Sequence, residues 1–404
     1  MDIRTTMKAL RSPLAAVLCG GVIVGLALGV RHVQGLFMLP MTGTRGWGRE
    51  AFALAIALQN LVWGLAQPFT GMIADRWGAR RVLAGGCLLY ALGLYLMAHA
   101  ATGVQLALSA GLLVGVALSG TTFSVVYGAI SRIVPPQRRG WALGMAGAVG
   151  GVGQFAMVPA TQQLIGGLGW IAALSVFALV LAFALPLAWP LDDRQDRVPE
   201  RQPQSMTGAI REALSHKGFW LLNAGFLACG FQLAFIAGHF PAFLVDQGFG
   251  PHTGVAALAI IALANVAGTY LCGQLGGLYR RKYVLAGLYL VRSGALLAFA
   301  LLPASTASVY VFAFVMGLTW LGTVPLTNGL VSQVFGVQYL ATLFGFVFVG
   351  HQLGGFLGMW LGGAVFDATG SYDAMWLLSA LVGLAAAALH WPIDDRAVAR
   401  LRMA

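Results

Sequence analysis

Long apolar runs separated by short polar stretches follow one another along the whole chain. A run of about 18 or more apolar residues can cross the roughly 30 Å of hydrocarbon in a bilayer as an α-helix. We therefore expect an all-α membrane protein with twelve transmembrane helices. The predicted spans lie near 13–39, 50–73, 82–100, 105–130, 141–165, 169–190, 218–245, 253–273, 283–303, 306–333, 341–366 and 371–392.

The composition agrees with a chain that crosses a membrane many times. Hydrophobic residues make up 59% of the chain and charged residues only 9%, whereas an ordinary soluble domain carries about 25% charged residues. The first apolar run follows basic residues and continues to about Pro40 without a small-residue cleavage site, so we interpret it as an uncleaved span. All four cysteines lie inside apolar runs, which gives no indication of a disulfide framework.

The positions of the basic residues predict the orientation in the membrane. Twenty of the 24 Lys and Arg residues fall at the two termini and in every second connection. Arg45 and Arg49 fall on the opposite side, and Arg31 and Arg292 lie within spans. Loops rich in Lys and Arg stay in the cytoplasm. Both termini should therefore be cytoplasmic, in a multi-pass protein of the bacterial inner (plasma) membrane, and the net charge of +11 indicates topology rather than nucleic-acid binding.

The chain repeats itself after 202 residues, half of its length of 404. Gly71 opens the stretch GMIADRWGARR, and Gly273 opens GQLGGLYRRK at that offset. Trp189 opens WPLDDR, and Trp391 opens WPIDDR at the same offset. Duplicated halves are a known transporter architecture, so we predict that the twelve helices form two pseudo-symmetric six-helix halves.

The longest polar segment divides these halves. Residues 191–217 carry several acidic and basic residues and are typical of a cytoplasmic linker, with a short surface helix near 207–215. The predicted domains are an N-terminal six-helix half at 1–190, the linker, and a C-terminal six-helix half at 218–404.

The charged connection after the second predicted span carries a recognisable motif, GMIADRWGARRVL at 71–83. It resembles the loop between the second and third spans of the major facilitator superfamily. That family's pattern is Gly, three free positions, Asp, Arg, a free position, Gly, and then basic residues. The resemblance covers the whole chain and implies the two-halved, twelve-helix fold of that superfamily. The residues that fill the pattern are Gly71, Asp75, Arg76, Gly78, Arg80 and Arg81.

In that family the motif acts as a cytoplasmic latch between the halves and favours the outward-facing state. The resemblance implies that Gly71, Asp75, Arg76, Gly78 and Arg80 form this latch here. Gly71 would let two spans approach closely, Gly78 suits a tight turn, and Asp75 can bond free N–H groups at a helix start. The alternative is a solvated loop that only anchors the topology. In the second copy Gly277 stands where Asp would be, so that half should latch more weakly.

Two arginines lie inside predicted spans, and none of the 13 acidic residues falls within a span core. An ionisable residue inside a span is costly and indicates function by default, and a substrate anion is the direct candidate to neutralise Arg31 and Arg292. Arg31, in GVRHVQGLF, fills the basic position of a first span similar to that of monocarboxylate transporters, in the bacterial monocarboxylate and oxalate–formate branch. Its guanidinium could hold a carboxylate bidentately. The alternative is that Arg31 snorkels to the outer interface.

Monocarboxylate transporters also carry an Asp/Arg pair in the eighth span, and here the resemblance is incomplete. The matching stretch ALANVAGTYLCG offers Asn265 and Thr269 instead. Arg292, near the middle of the ninth span, could supply the missing charge and bind substrate. Alternatively, Arg292 only satisfies carbonyl groups of neighbouring helices.

The eleventh span contains adjacent polar residues, His351 and Gln352, among glycines that allow close helix packing. With no buried acid available, His351 is the best titratable group for proton coupling, and Gln352 is a candidate for substrate binding. A histidine that is only hydrogen-bonded across helices is the alternative. His239 in the seventh span is a weaker candidate.

Polar residues also recur at helical spacing in several other spans. Each of them alone is more often a contact between helices than a ligand, but together they predict a wet cavity. The further candidates for substrate binding are Asn60, Trp63, Gln67, Tyr127, Asn265 and Asn328.

The leading hypothesis is a secondary transporter that moves a small organic anion, a carboxylate, by alternating access. An exporter of drugs or hydrophobic metabolites is the alternative on the same fold, and a transporter-like sensor that binds solute without moving it is the alternative of another class. The sequence contains no nucleotide-binding loop, metal-ligand cluster or Ser/His/Asp arrangement, so we expect neither enzymatic activity nor a cofactor or metal. The expected partners are an anionic substrate, the lipid bilayer, and protons or a counter-transported anion, with a monomeric chain and no nucleic acid.

Overall fold

The computed structural model describes residues 12–47, 49–194 and 204–402. Within these ranges no strand occurs. The α-helices that precede the linker are α1 Pro13–His32, α2 Met38–Arg45, α3 Arg49–Trp77, α4 Ala79–His99, α5 Gly103–Leu106, α6 Val114–Thr121, α7 Phe123–Ile133 and α8 Arg139–Phe183. Between or after them lie a π-helix, Ala107–Leu113, and the 3₁₀-helices Gln34–Phe37, Pro136–Arg138 and Leu185–Leu191.

The rest of the chain repeats this all-helical pattern. Its helices are α9 Met206–Ser215, α10 Lys217–Asp246, α11 Pro251–Leu278, α12 Arg281–Leu301, α13 Thr306–Thr319, α14 Thr323–Phe335, α15 Leu340–Thr369, α16 Asp373–His390 and α17 Ala399–Arg402.

Ten segments of the described residues are long and apolar enough to cross a membrane. One of them, Pro136–Leu191, contains both the fifth and the sixth predicted spans, which meet inside α8 at Gly169, where φ is +80°. The helix α3 has 29 residues and is a further helix of membrane-crossing length. These helices are consistent with the twelve predicted spans, and the all-α membrane class is confirmed.

The chain forms two compact units. The first comprises Met1–Pro199 and Val337–Gly345, and the second comprises Glu200–Gly336 and Phe346–Ala404. In the first unit α1 packs closely on α8, where a Cβ on Gly25 would lie 3.2 Å from the carbonyl oxygen of Gly150. Small residues at such contacts let membrane helices approach one another.

The second unit contains a longer contact of the same kind, between α10 and α15. A Cβ on Gly354 or on Gly358 would collide with the carbonyl oxygens of Leu227 and Phe231 in α10. The prediction that the glycines of the eleventh span serve close helix packing is therefore confirmed.

Two predicted spans are not the continuous helices that their apolar sequence indicates. The fourth span, predicted at 105–130, contains the π-helix and is interrupted at Thr122, where φ is −111° and ψ is −163°. The tenth, predicted at 306–333, is interrupted at 320–322, between α13 and α14. The two spans lie where they were predicted, but hydropathy does not reveal their interruptions, because it does not register polar side chains on other helices that can bond an opened backbone.

The polar segment between the halves contains the predicted surface helix. The helix α9 begins after Ser205, whose hydroxyl accepts a hydrogen bond from the backbone N–H of Gly208 at 3.0 Å, as an N-cap residue does. Its buried residues are Ala209 and Ala213. At the start of the same segment, Asp193 is fully buried and belongs to the first unit.

Candidate functional site

Four residues predicted to bind substrate meet in the first unit, and we call Arg31, Asn60, Trp63 and Gln67 the Arg31 cluster. Arg31 lies in the last turn of α1 and donates a hydrogen bond from Nη2 to the Asn60 side-chain oxygen. The other three lie on one face of α3 because they are spaced three and four residues apart. The Arg31 guanidinium carbon lies 5.1 Å from the centroid of the Trp63 ring, in the range of a cation–π interaction.

Hydrogen bonds fix the other end of this cluster. The Trp63 indole N–H donates to the Gln67 side-chain oxygen at 2.9 Å, and the Gln67 amide donates to the backbone carbonyl of Ser119 at 2.7 Å. Trp63 and Gln67 are 4% and 1% exposed. The aromatic ring beneath Arg31 is thereby held in place.

The positive charge of Arg31 has no counter-ion among the described side chains. None of their carboxylates forms an ion pair with Arg31, and its buried Nε atom has no hydrogen-bond partner among them. Arg31 is half-buried, whereas its partner ring is buried. The group therefore keeps donor capacity that a small anion could use.

Arg292, the other intramembrane arginine, has different surroundings. It lies in α12 of the second unit and is 0% exposed. Its Nη2 donates to the backbone carbonyls of Thr319 and Trp320, the latter at 3.1 Å, and its Nη1 donates to the Gln232 side-chain oxygen at 3.2 Å. In this arrangement its charge is directed at protein carbonyls, which is the alternative that the sequence left open.

Asn265 lies at the same interruption as Arg292. Its side-chain oxygen accepts hydrogen bonds from the Leu321 backbone N–H at 3.0 Å and from the Thr269 hydroxyl at 2.9 Å. Asn265 and Thr269 are each 1% exposed. The structure thus brings together two residues predicted to bind substrate, Asn265 and Arg292. The side chains of both form hydrogen bonds with the backbone of the tenth span.

His351 and Gln352 are neighbours in α15. The His351 Nδ1 atom lies 3.2 Å from the Gln352 side-chain oxygen. The imidazole stacks on Phe348 at a centroid distance of 5.1 Å and lies 4.8 Å from the Phe226 ring. His239 is engaged at both ring nitrogens, by the Tyr372 hydroxyl and the Met359 carbonyl, a geometry typical of a structural histidine.

Two remaining candidates lie outside these groups. Tyr127, in α7, is 0% exposed, and its ring packs edge-on against Phe123 at 5.2 Å. Asn328, in α14, is also 0% exposed. Within the described residues, neither the Tyr127 hydroxyl nor the Asn328 amide has a hydrogen-bond partner.

Asp75, the acidic residue of the predicted latch, is 2% exposed and lies in the last turn of α3. One carboxylate oxygen accepts from Arg132 Nη1 at 2.8 Å. The other accepts from the backbone N–H and the hydroxyl of Thr342, both at 2.7 Å. Arg132 also bonds Asp193 at 2.5 Å from Nε. Asp75 is therefore part of a buried ion-pair network and not a solvated loop residue.

Sequence reasoning missed three members of this network, Arg132, Asp193 and Thr342. The signal for Asp193 was present, because it belongs to the repeated WPLDDR stretch whose role was left unassigned. Its carboxylate also accepts from the backbone N–H of Ala79 at 3.0 Å, at the start of α4, where a helix has open N–H groups. No spacing pattern points to Arg132 or Thr342.

The other motif residues also form contacts or turns within the first unit. A Cβ on Gly71 would collide with the carbonyl oxygen of Ala341, and Gly78 has φ of +95° between α3 and α4, a conformation that favours glycine. Arg80 lies 3.1 Å from Asp192. Arg76 is exposed and lies over the Trp77 ring at 5.1 Å.

The second copy of the motif is built differently. Nothing lies within 4 Å of a Cβ placed on Gly277. Asp395, 202 residues after Asp193, forms an ion pair with Arg280, and the hydrogen bonds from Arg280 lower the pKa of the Asp395 carboxyl. Hydrogen bonds from Arg194 likewise lower the pKa of Asp192 in the first copy.

Comparison with known proteins agrees with this architecture. Residues 17–359 match the model of the Major Facilitator Superfamily. Monocarboxylate transporter 11 of Homo sapiens is 28% identical over 345 residues, which cover 81% of this chain and 70% of that protein. The MFS-type transporter YcxA of Bacillus subtilis (strain 168) is 24% identical over 352 residues, 83% of this chain and 84% of that protein.

Among solved structures, the fucose:proton symporter FucP of E. coli superposes with a TM-score of 0.72 at 15% identity, over 93% of this chain and 97% of that one. At that identity the likeness shows the fold alone. The twelve-span pattern, the buried motif and the family match define a membrane transporter of the secondary type. The chain belongs to the Major Facilitator Superfamily.

Proposed function

We propose that this transporter moves a small organic anion, a carboxylate, by alternating access. The observation that carries the proposal is the Arg31 cluster. A half-buried guanidinium rests on a fixed Trp63 ring, bonds Asn60, and has no counter-ion among the described side chains. Burying an unpaired charge is costly, so a bound anion would stabilise the occupied site.

The chemistry of the cluster suits a carboxylate. A guanidinium presents a planar fork of donors that matches the two oxygens of a carboxylate. The Asn60 side-chain oxygen accepts a hydrogen bond from the guanidinium, and the Trp63 ring packs against it in a cation–π contact. The relatives named as monocarboxylate transporters support this substrate class, although they are less than a third identical to this chain.

We assign proton coupling to His351. It is a titratable side chain in α15 of the second unit, its Nδ1 lies beside the Gln352 oxygen, and histidine changes charge in the physiological range. The protein would thus take up its anion together with a proton, in the bacterial plasma membrane and with both termini in the cytoplasm.

Uptake by the purified protein in proteoliposomes tests the proposal. Radiolabelled acetate, lactate, oxalate and benzoate are offered outside, with and without an inward proton gradient, and protein-free liposomes are the control. We expect saturable uptake of at least one acid, competition by unlabelled acid, and no uptake of tetraphenylphosphonium.

The two alternative hypotheses, an exporter of hydrophobic compounds and a solute sensor, predict different results in the same assay. Transport of tetraphenylphosphonium without transport of any acid would favour an exporter of hydrophobic compounds. Saturable binding of an acid without flux would favour a sensor. Either result contradicts the proposed function.

A further inference from the structure

The interruptions of the fourth and tenth spans fall within four residues of one another in the repeat, because Thr122 corresponds to Val324 and the second interruption lies at 320–322. Ser119, Gly120 and Thr121 precede the first interruption, and 202 residues later the chain reads Leu321, Gly322 and Thr323. A continuous helix would bond the Ser119 carbonyl to the N–H of Phe123. Because Thr122 is extended, this pattern ends there.

In the first unit, neutral side chains of α3 donate hydrogen bonds to the Ser119 carbonyl, which the interruption leaves without its helical partner. The Gln67 amide donates to Ser119 O at 2.7 Å, and the Thr70 hydroxyl donates to the same atom at 3.1 Å. They thereby supply the hydrogen bonds that a buried carbonyl requires.

In the second unit a positively charged side chain, that of Arg292, donates the hydrogen bonds to the opened carbonyls. The helix α13 ends at Thr319, so its last carbonyls lack donors from within the helix. Arg292 donates to the carbonyls of Thr319 and Trp320, while Asn265 accepts from the Leu321 N–H at 3.0 Å. A positive charge is also favourable at the C-terminal end of a helix, where the helix dipole is negative.

The residue that matches Arg292 in the first unit is uncharged. Tyr90 lies 202 residues earlier, and its hydroxyl donates to the Ala27 carbonyl in α1 at 2.9 Å instead of to the fourth span. The charged contact therefore distinguishes the tenth span from its repeat.

We propose that Arg292 is a positioning residue, whose hydrogen bonds hold the interruption at 320–322 as a joint between α13 and α14. A joint held by side-chain bonds can change its angle without breaking the hydrogen bonds inside either helix. Arg292 thus acts on transport through the tenth span and does not touch the substrate.

Two native cysteines lie against this joint and report on it. A Cβ on Gly322 would collide with the Cys272 sulfur, and the Cys229 sulfur lies 3.2 Å from the Thr323 hydroxyl. Cys272 is 3% exposed and Cys229 is 0% exposed. Cys87, in α4 of the first unit, is also 0% exposed and serves as an internal control.

The experiment measures alkylation of each thiol by N-ethylmaleimide in the purified, full-length protein, by peptide mass spectrometry. With Arg292→Met we expect Cys229 and Cys272 to react about tenfold faster than in the wild type, as a local opening would cause, and Cys87 to react unchanged. Arg292→Lys should restore part of the protection, because an ammonium can still donate to a carbonyl. Ser293→Ala, at a neighbouring buried hydroxyl, is the matched control and should behave as wild type.

Unchanged reactivity of Cys229 and Cys272 in Arg292→Met would overturn the inference. If that variant unfolds, Cys87 will also react faster, and Arg292→Gln then decides. Faster alkylation of Cys229 and Cys272 alone in Arg292→Gln supports the joint, and unchanged rates reject it.

Transport kinetics add a second readout, which rests on the proposed function. For whichever test acid is carried, Arg292→Lys should lower the maximal rate several-fold and change KM by less than about threefold. A rise in KM at unchanged maximal rate would instead mark Arg292 as a substrate ligand. If no acid is transported, the proposed function fails, and the thiol measurement still tests the joint.

Discussion

Arg31 and Arg292 are the same residue type in two predicted spans, yet their contacts differ. Arg292 is fully buried and bonds two carbonyls and a glutamine. Arg31 is half-buried, bonds Asn60 and keeps an Nε atom without a partner among the described residues. The sequence marks both as unusual charges, but the contacts of each depend on helices distant along the chain.

His351 provides a prediction at the same scale. In His351→Gln the side chain can no longer take up a proton, so uptake of the carried acid should vary less than about twofold between pH 5 and 8, where histidine titrates. Uptake by the wild type should rise as the outside is acidified. Initial rates in proteoliposomes over this pH range check it.

His239→Gln is the matched control, because both nitrogens of His239 are occupied by protein groups. That variant should keep the wild-type pH profile. A wild-type profile in His351→Gln would remove His351 from proton coupling.

At the scale of the helices, the membrane spans could be predicted from the sequence, but the interruptions within them could not. The spans follow from hydropathy because each must be apolar over a bilayer thickness. The interruptions at Thr122 and at 320–322 do not, since the side chains that bond the opened backbone come from α3, α11 and α12. The ion-pair network around Asp75 has the same limit, because Arg132 and Thr342 lie 57 and 267 residues away along the chain.

The end of α3 gives a prediction about this network. Asp75→Asn removes the negative charge that accepts bonds from Arg132 and Thr342, and losing a charge-assisted hydrogen bond costs about 1.5–3 kcal/mol. We expect the segment Val337–Gly345 to lose protection from hydrogen–deuterium exchange. Turnover should fall about tenfold, with affinity for the carried acid nearly unchanged.

Thr342→Val should give a smaller effect, because it removes the hydroxyl and keeps the backbone N–H that also bonds Asp75. Wild-type turnover and exchange in Asp75→Asn would show that the motif does not act as a latch in this protein.

For the whole molecule, composition was sufficient to predict the membrane class, and the resemblance of the motif at 71–83 predicted the superfamily. They were not sufficient for the contacts of the site. The Arg31 cluster gathers residues of α1 and α3, whereas the Tyr127 hydroxyl and the Asn328 amide have no hydrogen-bond partner among the described residues. Hydropathy and spacing predict which residues face inward but not which of them share a partner.

Orientation in the membrane is the prediction at this scale. In a background without the native cysteines, Ala101→Cys and Gln247→Cys should react with an impermeant maleimide added outside cells. Gln204→Cys should react only after the cells are opened. Gln247 is preferred to Gly248, because the φ of +81° at Gly248 would strain a cysteine. Labelling of Gln204→Cys from outside would reverse the orientation argued from the Lys and Arg residues.

The central claim is that Arg31 binds the transported anion. Its most direct test is equilibrium binding of the carried acid to purified Arg31→Ala, Arg31→Lys and Arg45→Ala. Arg45 is the matched control, since its guanidinium also lies over a tryptophan ring, that of Trp170 at 5.5 Å. Arg31→Ala should bind about ten- to a hundredfold more weakly, as loss of a charge-assisted bond requires. Arg31→Lys should keep part of the affinity, and Arg45→Ala should keep all of it. Wild-type affinity in Arg31→Ala would contradict the assignment and make Arg31 an anchor at the membrane interface.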